Sequence, residues 1–251
     1  VGKRDETGHA LLPLDNVVDA SLVRRAIVAR LEGLGVLDDD ARAAASFQTA
    51  IENTAVLPAK SVRPAYFCSG CPHNTSTNVP DGSFAMGATG CHGLAAFMPE
   101  RRTMNVVGMG AEGLPWLGAQ HFTDTEHVFS NMGDGTYTHS GILAIRAALS
   151  ASANVTFKIL YNDAVAMTGG QPLEGNIQPE QIAAELIAEG VSPVVLVSDQ
   201  PEKWSGKLPP AVRVLERDRL DALQRELRAV KGVSAIIYEQ TCANEKRRRR
   251  K

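Results

Sequence analysis

Residues 133–171 read GDGTYTHSGILAIRAALSASANVTFKILYNDAVAMTGGQ. One apolar run, HVFSNM, ends at Met132, and Gly-Asp-Gly follows at once. A second run, VTFKILY, ends at Tyr161 and is followed by Asn-Asp. Between them HSGILAIRAALSA has apolar residues at helical spacing, so the helix is expected to begin near His139. Strand, glycine turn, helix, strand is the repeating unit of a parallel sheet, whose ligands sit beyond the carboxyl ends of the strands.

The same alternation extends both ways. TMNVVGM, SPVVLVS, AVRVLE and GVSAIIYEQ read as further strands, and PWLGAQHF, PEQIAAELIAEG and DRLDALQRELRAV as further helices. Short, nearly continuous apolar strands alternating with helices predict an α/β domain with a mostly parallel sheet flanked by helices. Upstream, residues 21–33 and 38–52 carry helical patterns, the second opening on acids. Residues 1–20 read as irregular, a boundary is expected near Pro58, and the stretch from there to about Pro99 reads as mostly loop. Residues 1–57 are thus a connector with two helices and 58–251 the α/β domain.

Composition narrows the class. Hydrophobic residues make up 44% and charged residues 22%, as in soluble globular proteins. A formal net charge of -2 argues against a nucleic-acid partner, and no apolar run reaches the roughly 20 residues that span a bilayer. No signal-peptide pattern opens the chain, so a cytoplasmic location is expected. Val1 and a terminal KRRRRK that stops in mid-charge read as the ends of an excerpt from a longer polypeptide, and the basic run as a solvated surface.

The glycines of Gly133 and Gly135 let backbone approach a ligand closely. The N–H groups of Gly135, Thr136 and Tyr137 are then expected at a helix N-terminus, which favours phosphate. Asp134 would repel that phosphate unless a cation lay between them. Mg²⁺ meets this need, because it takes hard oxygen ligands and bridges protein oxygens to phosphates. The 26 residues between Gly135 and Asn162 leave room for one helix and one strand, which brings Asn162 beside Asp134. Its amide oxygen is the second expected ligand and the carbonyl of Ala164 the third. The alternative is an ordinary turn and an Asn-Asp loop. A second glycine loop, GMGAEG at 108–113, lines the same crevice or is simply a turn.

Cys68 and Cys71 form C-x₂-C in FCSGCPHN, Cys91 lies in ATGCHG, and Cys242 in EQTCANEK. Without secretory context, disulfides are not expected. Unrelated buried thiols, a Zn²⁺ site joined by His73 or His92, and a [4Fe–4S] cluster all remain open on spacing.

GDG, roughly two dozen residues and an Asn pair resemble the diphosphate-binding signature of thiamine-diphosphate enzymes, with Asp163 standing where the second Asn is usual. MTGGQP (167–172) is similar to the 2-oxoacid:ferredoxin oxidoreductases. CSGCPHNTST, GATGCHGLAAFMPE, NMGDGTYTHSG and QTCANEKRRRRK resemble, more narrowly, the indolepyruvate ferredoxin oxidoreductases in their large fused bacterial form. The resemblance covers about residues 58–251. It implies the diphosphate-binding half of a thiamine-binding fold, with Asp134, Asn162 and Ala164 on Mg²⁺. It also implies diphosphate contacts from Thr89, Gly90 and Thr136, with Thr168 and Gly169 beside them. Cys68, Cys71, Cys91 and Cys242 would hold the cluster.

The activity so implied is oxidative decarboxylation of an aryl 2-oxoacid to an acyl-CoA, coenzyme A being a co-substrate and ferredoxin the electron acceptor. Oligomerisation is expected. The glutamate that activates thiamine lies, by resemblance, on a separate pyrimidine-binding domain. Glu112 of GMGAEG reads as a solvent-facing loop acid. His73 and His92 are candidates to tune the cluster or position the substrate carboxylate, and His139 to donate to a phosphate oxygen.

Overall fold

The computed structural model describes residues 4–5, 7–13, 17–52, 64–172, 175 and 177–250. The chain divides into two compact units, Val1–Val62 and Arg63–Lys251. The boundary expected near Pro58 lies outside the described residues.

The first unit contains α1 (Ala20–Gly33) and α2 (Asp39–Glu52). Asp19 caps α1 by accepting from the Leu22 N–H, and Asp39 and Asp40 occupy the first turn of α2, where the helix dipole favours acids.

The second unit begins with α3 (His73–Ser76), β1 (Ala85–Ala88), β2 (Thr103–Val107) and α4 (Leu114–Ala119). It continues with β3 (Val128–Gly133), α5 (Asp134–Thr136), a five-residue π turn over Tyr137–Gly141, α6 (Ile142–Ser150) and β4 (Val155–Tyr161). Next come α7 (Pro179–Ala188), β5 (Val194–Ser198), β6 (Arg213–Glu216), α8 (Leu220–Leu227), β7 (Val233–Glu239) and α9 (Ala243–Arg248). All seven strands run parallel, in the order β2-β1-β3-β4-β7-β5-β6. The six expected strands are present.

Strand β1 was expected as loop. Its four residues, AMGA, are too short and too small-chained to announce a strand, and only burial between β2 and β3 makes them one. The helices α3 and α9 were also unforeseen. Each is six residues or fewer, so neither shows a full period of apolar spacing.

Alternation of side chains divides the core. Val155, Phe157 and Ile159 of β4 share one cluster with Ile145 of α6, Ile182 and Leu186 of α7, and Trp116 of α4. Leu160 joins a second cluster with Val195, Val197, Ile236 and Leu220, Leu223 and Leu227 of α8. Burial on both faces is why these strands read as continuous apolar runs. Lys158 interrupts β4 but is fully buried; its ammonium donates to the carbonyls of Ser76 and Asn78 and to Gln224 Oε1 at 2.8, 3.0 and 3.1 Å. Those three acceptors are what allow a lysine there.

Among the described residues, no helix is long and apolar enough to cross a membrane.

Candidate functional site

Strands β3 and β4 pair in register through Gly133 and Leu160, so Asp134 and Asn162 emerge from neighbouring strand ends. Asp134 is 3% exposed. Its Oδ2 accepts from the backbone N–H of Asn162 at 2.8 Å and of Asp163 at 3.1 Å, and its Oδ1 from the Gly135 N–H at 2.8 Å. The carboxylate thus binds the two strand tips together. Burial pushes its pKa up to about 6, against the lowering effect of the backbone donors. Asn162 Oδ1 is buried and has no partner among the described residues.

The expected free N–H groups are only partly free. The helix begins at Asp134, not near His139, and the Tyr137 N–H bonds to the Asp134 carbonyl while the Gly135 N–H is taken by the Asp134 side chain. The early start also displaces His139. It stands five residues into the helical run, roughly 7 Å along the axis at 1.5 Å per residue, and is exposed and outside the cavity.

A cavity of about 240 Å³ opens at these strand ends. Thr89 and Gly90 line one side, Gly133, Asp134, Gly135 and Thr136 the floor, and Asn162, Ala164 and Thr168 the other side. Gly169 does not line it. Met109 brings the second glycine loop to the cavity, one of the two expected placements, and Val165, Ala166 and Met167 add an apolar rim that sequence reasoning did not single out. The ring of His92 covers Gly90 so closely that a Cβ there would meet its Cε1 at 2.6 Å. Its Nε2 is buried without a partner among the described residues, and burial pushes its pKa down to about 3. Glu112 is 0% exposed rather than solvent-facing, because the loop folds back and its Oε2 accepts from the Gly110 N–H at 2.8 Å. Burial raises its pKa.

A second, smaller cavity of about 70 Å³ is lined by Cys68, Cys71, Cys91 and Cys242 together. His73, Cys91, Asn162 and Ala166 belong to the walls of both cavities. Burial pushes the Cys71 thiol up to about 11, a backbone bond from His73 opposes this, and Cys68, Cys242 and Cys91 push it further up. Among the described residues, no three His, Cys, Asp or Glu side chains converge as ligands of a single metal ion. His73 is 3% exposed, its Nδ1 lies 3.3 Å from Ser76 Oγ, and burial lowers its pKa to about 4.

Residues 88–200 match the thiamine pyrophosphate enzyme C-terminal TPP binding domain. Indolepyruvate oxidoreductase subunit IorA of Thermococcus kodakarensis is 27% identical over 204 residues, which is 72% of this chain and 30% of that protein. The subunit of the same name from Archaeoglobus fulgidus is 32% identical over 120 residues, 45% of this chain and 19% of that protein. This chain is thus similar to part of the indolepyruvate oxidoreductase subunits. It spans about a third of the length of such relatives. A solved 2-oxoglutarate:ferredoxin oxidoreductase from Magnetococcus marinus superposes with a TM-score of 0.54 at 16% identity, covering 74% of this chain and 67% of that one. The seven-stranded parallel sheet is therefore the thiamine-pyrophosphate-binding α/β fold, as the indolepyruvate-oxidoreductase motifs imply.

The donor set fits the groups that the sequence resemblance implies. An unpartnered buried amide oxygen beside a buried carboxylate offers two hard oxygens for Mg²⁺. Four thiols around one cavity offer the ligand number of a [4Fe–4S] cluster.

Proposed function

We propose that this chain is the diphosphate-binding part of a 2-oxoacid:ferredoxin oxidoreductase that converts an aryl 2-oxoacid, such as indolepyruvate, to its acyl-CoA. The observation that carries this reading is the common wall: His73, Cys91, Asn162 and Ala166 border both the diphosphate cavity and the thiol cavity. Electrons leaving a substrate in one would have only a side chain's breadth to cross to reach the other.

Asp134 and Asn162, with the Ala164 carbonyl, would hold Mg²⁺. Thr89, Gly90 and Thr136 would meet the diphosphate, and Thr168 would close its outer side. The four cysteines, which line one cavity, would hold the cluster. Bound there, thiamine diphosphate supplies the nucleophile for the keto carbon and the electron sink that lets CO₂ leave. A cluster held by the four cysteines would relay the electrons to ferredoxin, with coenzyme A as the acyl acceptor. His73, neutral at pH 7 and held in the shared wall, would hydrogen-bond the substrate carboxylate without adding charge. The activating glutamate would come from a pyrimidine-binding domain beyond this chain, so the chain alone should be inactive.

Anaerobic purification of the complete polypeptide tests the reading. A brown protein with iron, acid-labile sulfide and stoichiometric thiamine diphosphate, reducing ferredoxin with an aryl 2-oxoacid, is the expected result. A colourless protein holding only zinc would replace this reading with a non-catalytic scaffold. Turnover only with pyruvate or a branched-chain acid would change the substrate and keep the chemistry. Cys242→Ser should lose iron and still bind thiamine diphosphate.

A further inference from the structure

The basic end of the chain is exposed, as its composition suggests, yet its arginines also bond back to the domain. Cys242 is the N-cap of α9, and its backbone N–H donates to the Asn162 carbonyl at 3.0 Å. From that anchor the helix sends its arginines in three directions. Arg247 Nη2 donates to the Ser69 carbonyl, inside C-x₂-C, at 2.6 Å. Arg248 donates to the Gly170 carbonyl at 2.6 Å and the Gly169 carbonyl at 3.3 Å, and pairs with Glu245 at 2.5 Å. Arg249 Nη2 lies 2.8 Å from Asp163 Oδ2.

Each contacted segment belongs to one of the two cavities. Asp163 gives its N–H to Asp134 and adopts a φ of 60°, in the left-handed region that few residues other than glycine enter and that Asp enters more readily than most. Gly169 and Gly170 end the segment whose Ala164–Thr168 lines the diphosphate cavity. Glu245 is buried against Gly170, where any side chain would strike it. Ser69 lies between two of the four thiols. None of the three arginines lines either cavity. Their planar forks explain the residue type at Arg248, whose guanidinium spans two successive carbonyls and a carboxylate, as an ammonium would not.

We propose that Arg247, Arg248 and Arg249 are positioning residues: α9 fixes the metal loop, the Gly169–Gly170 turn and the C-x₂-C loop against one another, and so sets the thiol cavity relative to the diphosphate site. This rests on the function proposed above. The pairs themselves are half-exposed, with Arg249 and Asp163 at 54% and 40%, so little of their effect falls on overall stability.

The test uses the complete enzyme, purified anaerobically, with wild type, R249Q, R249K and R247Q compared. Thiamine diphosphate with Mg²⁺ is titrated by calorimetry, iron is counted, and the reduced cluster is examined by electron paramagnetic resonance. R249Q is expected to weaken cofactor binding about tenfold with iron content unchanged, as for other residues that orient a metal ligand. R249K, which keeps the single ion pair, should restore most of the affinity. R247Q should alter the resonance of the cluster and leave the cofactor affinity alone. If R249Q does not fold, Asp163→Asn removes the same pair from the other side. Wild-type affinity in R249Q, or joint loss of both cofactors with a lowered melting temperature in both variants, overturns the proposal. A wild type that binds neither iron nor thiamine diphosphate overturns the underlying function instead.

Discussion

Asp134 serves two masters at the residue scale. Its oxygens tie the ends of β3 and β4 through three backbone N–H groups, and the same oxygens face a cavity suited to a cation. Asp134→Ala should abolish binding of thiamine diphosphate with Mg²⁺ while the far-ultraviolet dichroism stays that of the wild type, because the core clusters contain no atom of it. Retained affinity by calorimetry would refute its role. The titration has a definite sign. Burial raises its folded pKa from 3.8 to about 6. Between these values the unfolded chain has already lost a proton that the folded one keeps. Stability of the cation-free protein therefore falls as pH rises from about 4 to 6, by on the order of 3 kcal/mol. Mg²⁺ with diphosphate favours the ionised form. The increase in melting temperature on adding them should be small at pH 5 and large at pH 7. An equal increase at both would refute the account.

At the scale of elements, the loop after β4 depends on a glycine. Gly170 has φ +85°, and a Cβ there would run into the Glu245 carboxylate of α9. Gly170→Ala should cost roughly 1–3 kcal/mol in denaturant unfolding, from the left-handed strain and the displaced buried acid. It should also weaken thiamine diphosphate binding, since the segment before it walls the cavity. Unchanged stability would mean that α9 does not rest on this turn. Strands β3, β4, β5 and β7 were legible because burial on both faces leaves nearly continuous apolar runs. β1 was not, because AMGA owes its pairing to neighbours that flank it from positions later in the chain.

On the largest scale, the apolar clusters among the described residues lie within Arg63–Lys251. That unit expressed alone should unfold cooperatively, with a melting temperature within a few degrees of that of residues 1–251. Loss of the cooperative transition would show that Val1–Val62 contributes to its core. The order β2-β1-β3-β4-β7-β5-β6 also puts the chain's last strand beside β4. That placement delivers Cys242 to the cavity of Cys68, Cys71 and Cys91, over 150 residues away in sequence.

Local chemistry sufficed for some of this. Strand and helix periods gave the parallel α/β class, and Gly-Asp-Gly with Asn162 gave the meeting of two strand ends, because each depends on spacing along a single βαβ unit. Whether residues far apart in the chain meet depends on strand order and on which side chains burial excludes from water. Only tertiary structure could decide that Glu112 turns inward, that His139 stands clear of the cavity, that His73 shares a wall between two cavities, and that a run of exposed arginines also bonds to three loops.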